Sequence, residues 1–411
     1  MPIQRPSSRG EFAVAIICAL SREYDAVQYT FDEIWDDQGD QYGRAPGDTN
    51  QYTTGRIGGH NAVLTLLPRM GKTNAASAAA QLRTSYNGIL VALIVGVCGA
   101  VPSTKDGKPI FLGDVIVSNR VVQYDFGRQY SDGFVPKKAA EDVLGRPNKE
   151  VTGLLNMLKT HRGYDRVEAR TAAVIKQIQG AVSDHPDRRG MYDYPGVAHD
   201  RLYLTVYRHK HQEHQEPGCV CRDCRSASDS PCELALVKSC HDVGCEDSKL
   251  VRREHLRVRD GGRPHIYIGA VASGDAVNKS PVHRDKLAEE EDVLMMEMEG
   301  AGAWDELPCI VIKGVCDYAD SHKNKDWQDF AAASAAAVAK AMLQGYTRTD
   351  RPPAERVTVP QTQGQGQSQN QSQSQSLNNM TNNFNGPIST PFFMPGWNQQ
   401  GQVHIHNHGS G

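Results

Sequence analysis

Three acidic residues, Glu23, Glu299 and Asp317, each follow an apolar run: "FAVAIICALSR", "VLMMEM" and "CIVIKGVC". Such runs read as buried strands, and in open α/β sheets ligands bind beyond the carboxyl ends of the strands. A carboxylate there is held by a rigid element yet faces a cleft, where it can exchange protons with a bound molecule. The competing reading is that each residue caps a helix N-terminus, a common duty of Asp and Glu. Capping accounts better for any one of them alone, but three together beside glycine-rich turns favour a site. Those turns are "RMGKT", "VGVCGAV" and "ASGDAV". Glycines at strand-to-helix turns let backbone N–H groups approach a ligand closely. None of the turns has the dinucleotide fingerprint or the P-loop spacing.

The elements that must position these residues alternate between strand and helix. "FAVAIIC" (Phe12–Cys18) predicts a first buried strand, followed by a helix near Glu23 to Ile34. "AVLTLL" (Ala62–Leu67) is another strand, and "GKTNAASAAAQLRTSY" is an Ala-rich helix. "ILVALIVGVCGAV" begins as a continuous β run and is expected to break at Gly96 and Gly99. "LGDVIVS", "HIYIGAVASGD", "VLMMEME" and "PCIVIKGVC" complete the strands, and "DWQDFAAASAAAVAKAMLQGY" is a closing helix. Doubly buried strands alternating with helices indicate an α/β sandwich around a central sheet.

Between about residues 130 and 262 the chain is charged and rich in His and Cys. It reads as a long insertion within a folded body of residues 10–348, with helices around Val151–Thr160 and Thr171–Ala181. Residues 349–411 are a Gln/Asn-rich tract of low complexity, a composition that cannot bury enough apolar surface to order itself. Such a tail either stays flexible or supports self-association, since Asn/Gln-rich segments can form β-aggregates.

The net charge of −3 argues against a broad nucleic-acid footprint. No stretch approaches the length of a membrane span, and "FAVAIICAL" is too short for a signal core. Cys18, Cys98, Cys309 and Cys316 lie inside apolar runs, where reduced buried thiols are usual. Together these features lead us to expect an intracellular, cytoplasmic protein. Inside the insertion, Cys221 and Cys224 form a Cys-x-x-Cys pair near further His and Cys residues. The pair is compatible with a structural tetrahedral zinc, although its irregular spacing fits reduced surface thiols better.

The motifs "AIICALSRE", "MGKTNAASAAAQL", "VGVCGAV", "LGDVIVSNRVVQYDF", "ASGDAV", "MEMEGAGAW" and "GVCDYAD" follow one another in an order that resembles the purine/uridine phosphorylase superfamily. The resemblance covers about residues 12–130 and 264–346 and is nearest the methylthioadenosine/S-adenosylhomocysteine nucleosidases. The "SHKNKDWQDFAAASAAAVAK" ending is similar to a subgroup found in fungal immune-type proteins. The resemblance implies a three-layer α/β/α sandwich with a mixed central sheet of the nucleoside phosphorylase type. It further implies that Asp317 acts on the purine N7 as leaving-group acid and that Glu23 activates the attacking water. Met298 and Glu299 would bind the ribose, and Ser273, Gly274, Asp275, Val277 and Gly99 would form the base pocket. Family nucleosidases usually place an aromatic residue where this chain has Val277, so the resemblance does not extend to adenine specificity.

No cofactor is required for such chemistry, in which an acid on the leaving group and a base on water suffice. Phosphorylases of the superfamily commonly carry an Arg before the glycine turn and a Ser within it, where this chain has Ile94 and Val97, so water is the expected acceptor. Arg22, Lys279, Arg284, His322 and Lys323 are cations suited to a nucleotide's phosphates, or to an ordinary solvated loop. Three functions are therefore carried forward: a nucleosidase acting on a purine nucleoside or on a nucleotide such as ATP, a phosphate-dependent phosphorylase, and a nucleotide-sensing module that self-associates through its tail. Family members commonly form homo-oligomers, which is the expectation here.

Overall fold

The computed structural model describes residues 5–348, apart from 213–218, 226–228, 254–261 and 323–324. The chain divides into two units, Met1–Asp350 and Arg351–Gly411. The second unit lies outside the described residues, and with it the expected low-complexity tail.

The apolar run after Phe12 forms β1 (Val14–Cys18), buried along its whole length, as a strand covered on both faces must be. It leads into α1 (Ser21–Gln28), a short β2 (Glu33–Ile34), and the hairpin of β3 (Tyr52–Ile57) and β4 (His60–Leu66). Then come α2 (Lys72–Ser85), β5 (Val91–Ala100) and β6 (Val115–Gln123). A small hairpin, β7 (Gly127–Tyr130) and β8 (Gly133–Pro136), precedes α3 (Lys149–Leu158), α4 (His161–Val182) and α5 (Glu233–Val237). The chain returns to the main sheet with β9 (Ile266–Ser273), α6 (Pro281–Glu291) and β10 (Val293–Glu297). It ends with α7 (Gly300–Ala303), β11 (Cys309–Asp317) and α8 (Gln328–Leu343).

The expected mixed central sheet is present. Nine strands run in the order β10-β9-β6-β11-β5-β1-β4-β3-β2. β1 is parallel to β4 and β5, and β5 to β11, whereas β11 and β6 are antiparallel. One feature of the sheet was not foreseen. β10 also pairs antiparallel with the end of β5, placing Met295 opposite Ala100 and Met296 opposite Gly99. Strands β5, β11, β6, β9 and β10 therefore close into a ring. The half of the sheet that carries the acidic residues is barrel-like rather than open.

Three sequence expectations need correction. β5 runs unbroken through Gly96 and Gly99 instead of ending at them. The helix expected to reach Ile34 stops at Gln28, where the Thr30 hydroxyl turns back onto the Val27 carbonyl and Glu33–Ile34 pairs with β3. The second helix of the insertion is longer than its expected span and contributes Val167, Val174, Ile175, Ile178 and Val182 to the main core. Its packing against α8 makes this part of the insertion integral to the body. None of the helices among the described residues is long and apolar enough to cross a membrane.

α8 shows how composition sets packing. It lies against β11, β5, α1 and α4, and every residue from Phe330 to Leu343 is buried. A helix enclosed on all sides needs small side chains to admit its neighbours, hence the alanine run. Its one buried cation, Lys340, is satisfied by Asp32 Oδ1 at 2.7 Å and Gln177 Oε1 at 3.2 Å. Ala335→Leu adds three carbons at a position with no exposed surface. We expect it to destabilise the fold by about 1–3 kcal/mol through overpacking, read as a lower midpoint in chemical denaturation.

Candidate active site

The floor of the site is the carboxyl end of β5 and its parallel neighbour β11. Their register pairs Gly96 with Lys313 and Gly99 with Asp317. A Cβ at Gly96 would lie 2.3 Å from Glu23 Oε1, and one at Gly99 would lie 2.6 Å from Asp317 Oδ1. Both positions therefore need glycine because carboxylates fill the space of a side chain, which also explains why the strand tolerates them.

Glu23 is buried in the first turn of α1. Its Oε2 accepts from the N–H groups of Ala19 and Leu20, each at 2.9 Å, so the capping reading holds for this residue. Its Oε1, however, accepts from Val97 N–H of β5 at 2.8 Å, which fastens the carboxylate to the site floor. Glu299 precedes α7 without capping it. Its Oε2 accepts from Lys313 Nζ at 2.9 Å, and its Oε1 faces Gly71 N–H at 3.4 Å. Glu297 accepts from the N–H groups of Glu299 and Gly300 and lies 3.9 Å from Lys313 Nζ. Asp317 accepts from Ala319 N–H at 2.8 Å. Ala319 has a φ of 49°, a left-handed conformation uncommon for a residue with a side chain. The Asn278 amide donates to its carbonyl at 3.0 Å and helps to hold it there.

Lys313 is the residue that sequence reasoning missed. It lies inside the strand "PCIVIKGVC" and has no role in the sequence reading, yet its side chain is 1% exposed and lies among Glu299, Glu297 and Glu23. The available signal was a lysine inside a doubly buried strand, which demands a buried counter-ion. Burial pushes the Glu23 and Glu297 carboxyls above the usual range, and Lys313 opposes that shift. For Lys313 itself burial disfavours the charge, but Glu299, Glu23 and Glu297 outweigh it and hold the ammonium well above the usual lysine range.

The glycine turns converge. Ser273 Oγ accepts from Ala301 N–H at 2.9 Å, and Gly274 lies against the Tyr124 ring. Asp275 accepts from Lys72 N–H at 2.8 Å, and its own N–H donates to Asp125 at 2.8 Å. Lys72 Nζ bonds to Asp125 and lies 3.7 Å from Asp275, so "RMGKT" and "ASGDAV" are tied together. Met298 is half-buried, while Val277 is 52% exposed and lies at the surface.

Three of the expected phosphate-binding residues are engaged by other protein groups. Arg22 pairs with Asp329 at 2.7 Å. Arg284 is buried and donates to the Tyr318 carbonyl and to Asp285, each at 2.7 Å. His322 belongs to a Cys/His group with His209, Cys240 and Cys245. Lys279 is exposed, and Lys323 lies outside the described residues. The metal expectation also changes. Cys221 groups with His211, Cys219 and Cys232, whereas Cys224 turns its thiol to the Val220 and Ser230 carbonyls at 3.4 and 3.2 Å.

Comparison with known proteins agrees with the motif order. Residues 13–179 match the sequence model of the phosphorylase superfamily. A nucleotide-binding leucine-rich repeat (NLR)-like protein from Hyaloscypha variabilis is 32% identical over 348 residues, covering 83% of this chain and 30% of that protein. The chain thus spans about a third of the length of this relative. Among solved structures, 5′-methylthioadenosine/S-adenosylhomocysteine nucleosidase from Neisseria meningitidis aligns at 15% identity with a TM-score of 0.45, covering 81% of this chain and 99% of that one. Futalosine hydrolase of Helicobacter pylori aligns at 15% identity and a TM-score of 0.45, covering 82% and 100%. The matched segment holds β1, α1 with Glu23, and β5 with its two site glycines. Over residues 13–179 this chain is thus similar to the phosphorylase superfamily, the family that the order of its motifs resembles.

Proposed function

We propose that this chain is a nucleosidase that cleaves the N-glycosidic bond of a purine nucleoside or nucleotide with water. The observation that carries the reading is the placement of Glu23 and Asp317 at the carboxyl ends of β5 and β11, against glycines that leave them room, with Glu299 bound to Lys313 of β11. In the proposed reaction the bond between C1′ and the base breaks, and its electron pair leaves with the purine. Asp317 protonates the base at N7, and Glu23 takes a proton from the water that attacks C1′. Glu299, fixed by Lys313, holds the ribose hydroxyls. A base with a raised pKa accepts a proton more readily near neutral pH, and burial gives Glu23 that property. The proposed chemistry uses only these side chains and needs no cofactor. A structural zinc in the insertion, on His211, Cys219, Cys221 and Cys232, accompanies the proposal.

Water is favoured over phosphate by the way the cations are used. Arg22 and Arg284 are engaged with Asp329, Asp285 and a backbone carbonyl. The Val97 N–H, which could have met an anion, already serves Glu23. The test is chromatography of free base released from adenosine, inosine, guanosine, methylthioadenosine, AMP and ATP, each with and without phosphate. Release without phosphate, reduced by about 10²–10⁴-fold in Asp317→Asn, is the expected outcome. Release that requires phosphate would make the chain a phosphorylase, and the absence of release would favour a sensor.

The pH profile offers a second test. Glu23 must be ionised to act as base, so activity is lost as pH falls through its raised pKa, above the ordinary glutamate value of 4.5. Lys313→Met removes the cation that opposes this shift, so the acid limb of kcat/KM should move to higher pH. It should also destabilise the fold by about 3–5 kcal/mol, because it leaves buried carboxylates unpaired. Lys313→Arg, which keeps the charge, should retain the wild-type limb. An acid limb that stays in place in Lys313→Met would remove Glu23 from the role of base.

A further inference from the structure

Among the described residues, two groups of four Cys and His residues lie in and around the insertion: His211, Cys219, Cys221, Cys232, and His209, Cys240, Cys245, His322. Within each, the potential ligand atoms lie within 4.8 Å of one another. The second group draws three members from the insertion and one, His322, from the loop that leaves β11, five residues after Asp317.

The spacing of the second group can be compared with that of a tetrahedral zinc. Bonds of about 2.3 Å to sulfur and 2.0–2.1 Å to nitrogen set the S···N edges of such a tetrahedron at about 3.6 Å. Cys240 Sγ lies 3.5 Å from His209 Nδ1 and 3.6 Å from His322 Nδ1. Cys245 Sγ lies 3.7 Å from each of the same two atoms. All four edges meet the expectation, and both imidazoles present the same nitrogen.

The other nitrogens say which tautomer each ring holds. His209 Nε2 lies 2.8 Å from the Ala235 carbonyl and 3.1 Å from that of Lys238. His322 Nε2 lies 3.0 Å from the Tyr207 carbonyl. A carbonyl only accepts, so each Nε2 carries the proton and each Nδ1 lone pair faces the thiols, an arrangement typical of histidines that bind metal. Cys240 and Cys245 are free thiols. Two sulfurs and two imidazoles at tetrahedral spacing suit Zn²⁺, and four protein ligands leave no open position for catalysis.

We propose that His209, Cys240, Cys245 and His322 bind a second zinc ion, which clamps the insertion onto the loop that follows Asp317. The segment between acid and ligand is already tied at several points. Tyr318 Oη donates to Asp200 at 2.7 Å, and Ser321 Oγ accepts from His209 N–H at 3.2 Å. The His322 ring stacks on Tyr203 with centroids 4.0 Å apart, and the backbone N–H of His322 donates to Asp320 at 2.8 Å. A zinc ion at the end of this segment fixes the direction in which the chain leaves Asp317. The metal thus acts on the acid by position and takes no part in bond breaking. The activity consequence rests on the nucleosidase reading, whereas the site itself does not.

The test uses the full chain purified without a His tag. Elemental analysis should find two zinc ions per chain in the wild type and one in His322→Ala, with the same loss in Cys240→Ser. Cobalt substitution should give thiolate charge-transfer bands in the wild type, weakened in His322→Ala. Limited proteolysis should cut the 318–325 segment faster in His322→Ala, and base release should fall by about 10²-fold, the scale of a catalytic group misplaced by about 1 Å. Wild-type zinc content in His322→Ala would overturn the site. One zinc fewer with unchanged proteolysis would overturn the clamp. If the wild type releases no base from any nucleoside, the nucleosidase reading fails, while zinc content and proteolysis still decide the metal proposal.

Discussion

One buried ammonium holds the candidate site together. Lys313 lies within a strand that is buried throughout, where an unpaired charge would cost several kcal/mol to desolvate. Glu299 at 2.9 Å and Glu297 at 3.9 Å offset that cost, with Glu23 contributing its field. The dependence is mutual, because burial alone pushes Glu23 and Glu297 towards protonation and the lysine resists it. One cation among three carboxylates leaves an excess of negative charge in a dry interior. Such a cluster readily takes up a proton, which is the property a general base requires.

The cluster exists because the sheet closes. In an open sheet, β10 would lie at the far edge, four places from β5 in the strand order. Its antiparallel pairing with Ala100 and Gly99 carries the end of β10 back over the floor of the site. Glu297 and Glu299 thereby reach Lys313, and the space that β5 gives up at Gly96 and Gly99 is taken by Glu23 and Asp317. The glycines, the carboxylates and the lysine are one packing solution, so a change at any of them disturbs the others.

The insertion is tied to this body at two levels. α4 adds apolar residues to the core beside α8, a hydrophobic attachment far along the chain from the acids. The later part reaches the segment after Asp317 through polar contacts: Asp200 to Tyr318, His209 to Ser321, and the Tyr203 ring to His322. A carboxylate at the end of a strand, as Asp317 is, is only as well placed as the chain that leaves it. Here that chain passes through the strained φ of Ala319 and is held from both sides.

Much of this could be read along the chain. Alternating apolar runs and helical patterns predicted most of the strands, and the ordered motifs pointed to Glu23, Glu299 and Asp317. The strand inferences succeed because burial periodicity is a local property. Lys313 was hidden because the pattern shows a lysine inside an apolar run but not its counter-ions, Glu297 at the end of β10 and Glu299 just beyond it, 14 to 16 residues earlier. The candidate phosphate-binding residues show the opposite case. Arg22, Arg284 and His322 resemble free cations in one dimension, and their partners are set by packing. The pairing of Cys221 with Cys224 followed spacing, whereas the thiol of Cys224 is directed elsewhere by the turn that carries it. The sequence by itself determined which residues could form strands, helices and an acid–base set, since those depend on side-chain type and near neighbours. Only the tertiary structure decided which charges share a cation, which histidines face thiols and where the sheet closes, because each depends on groups brought together from distant parts of the chain.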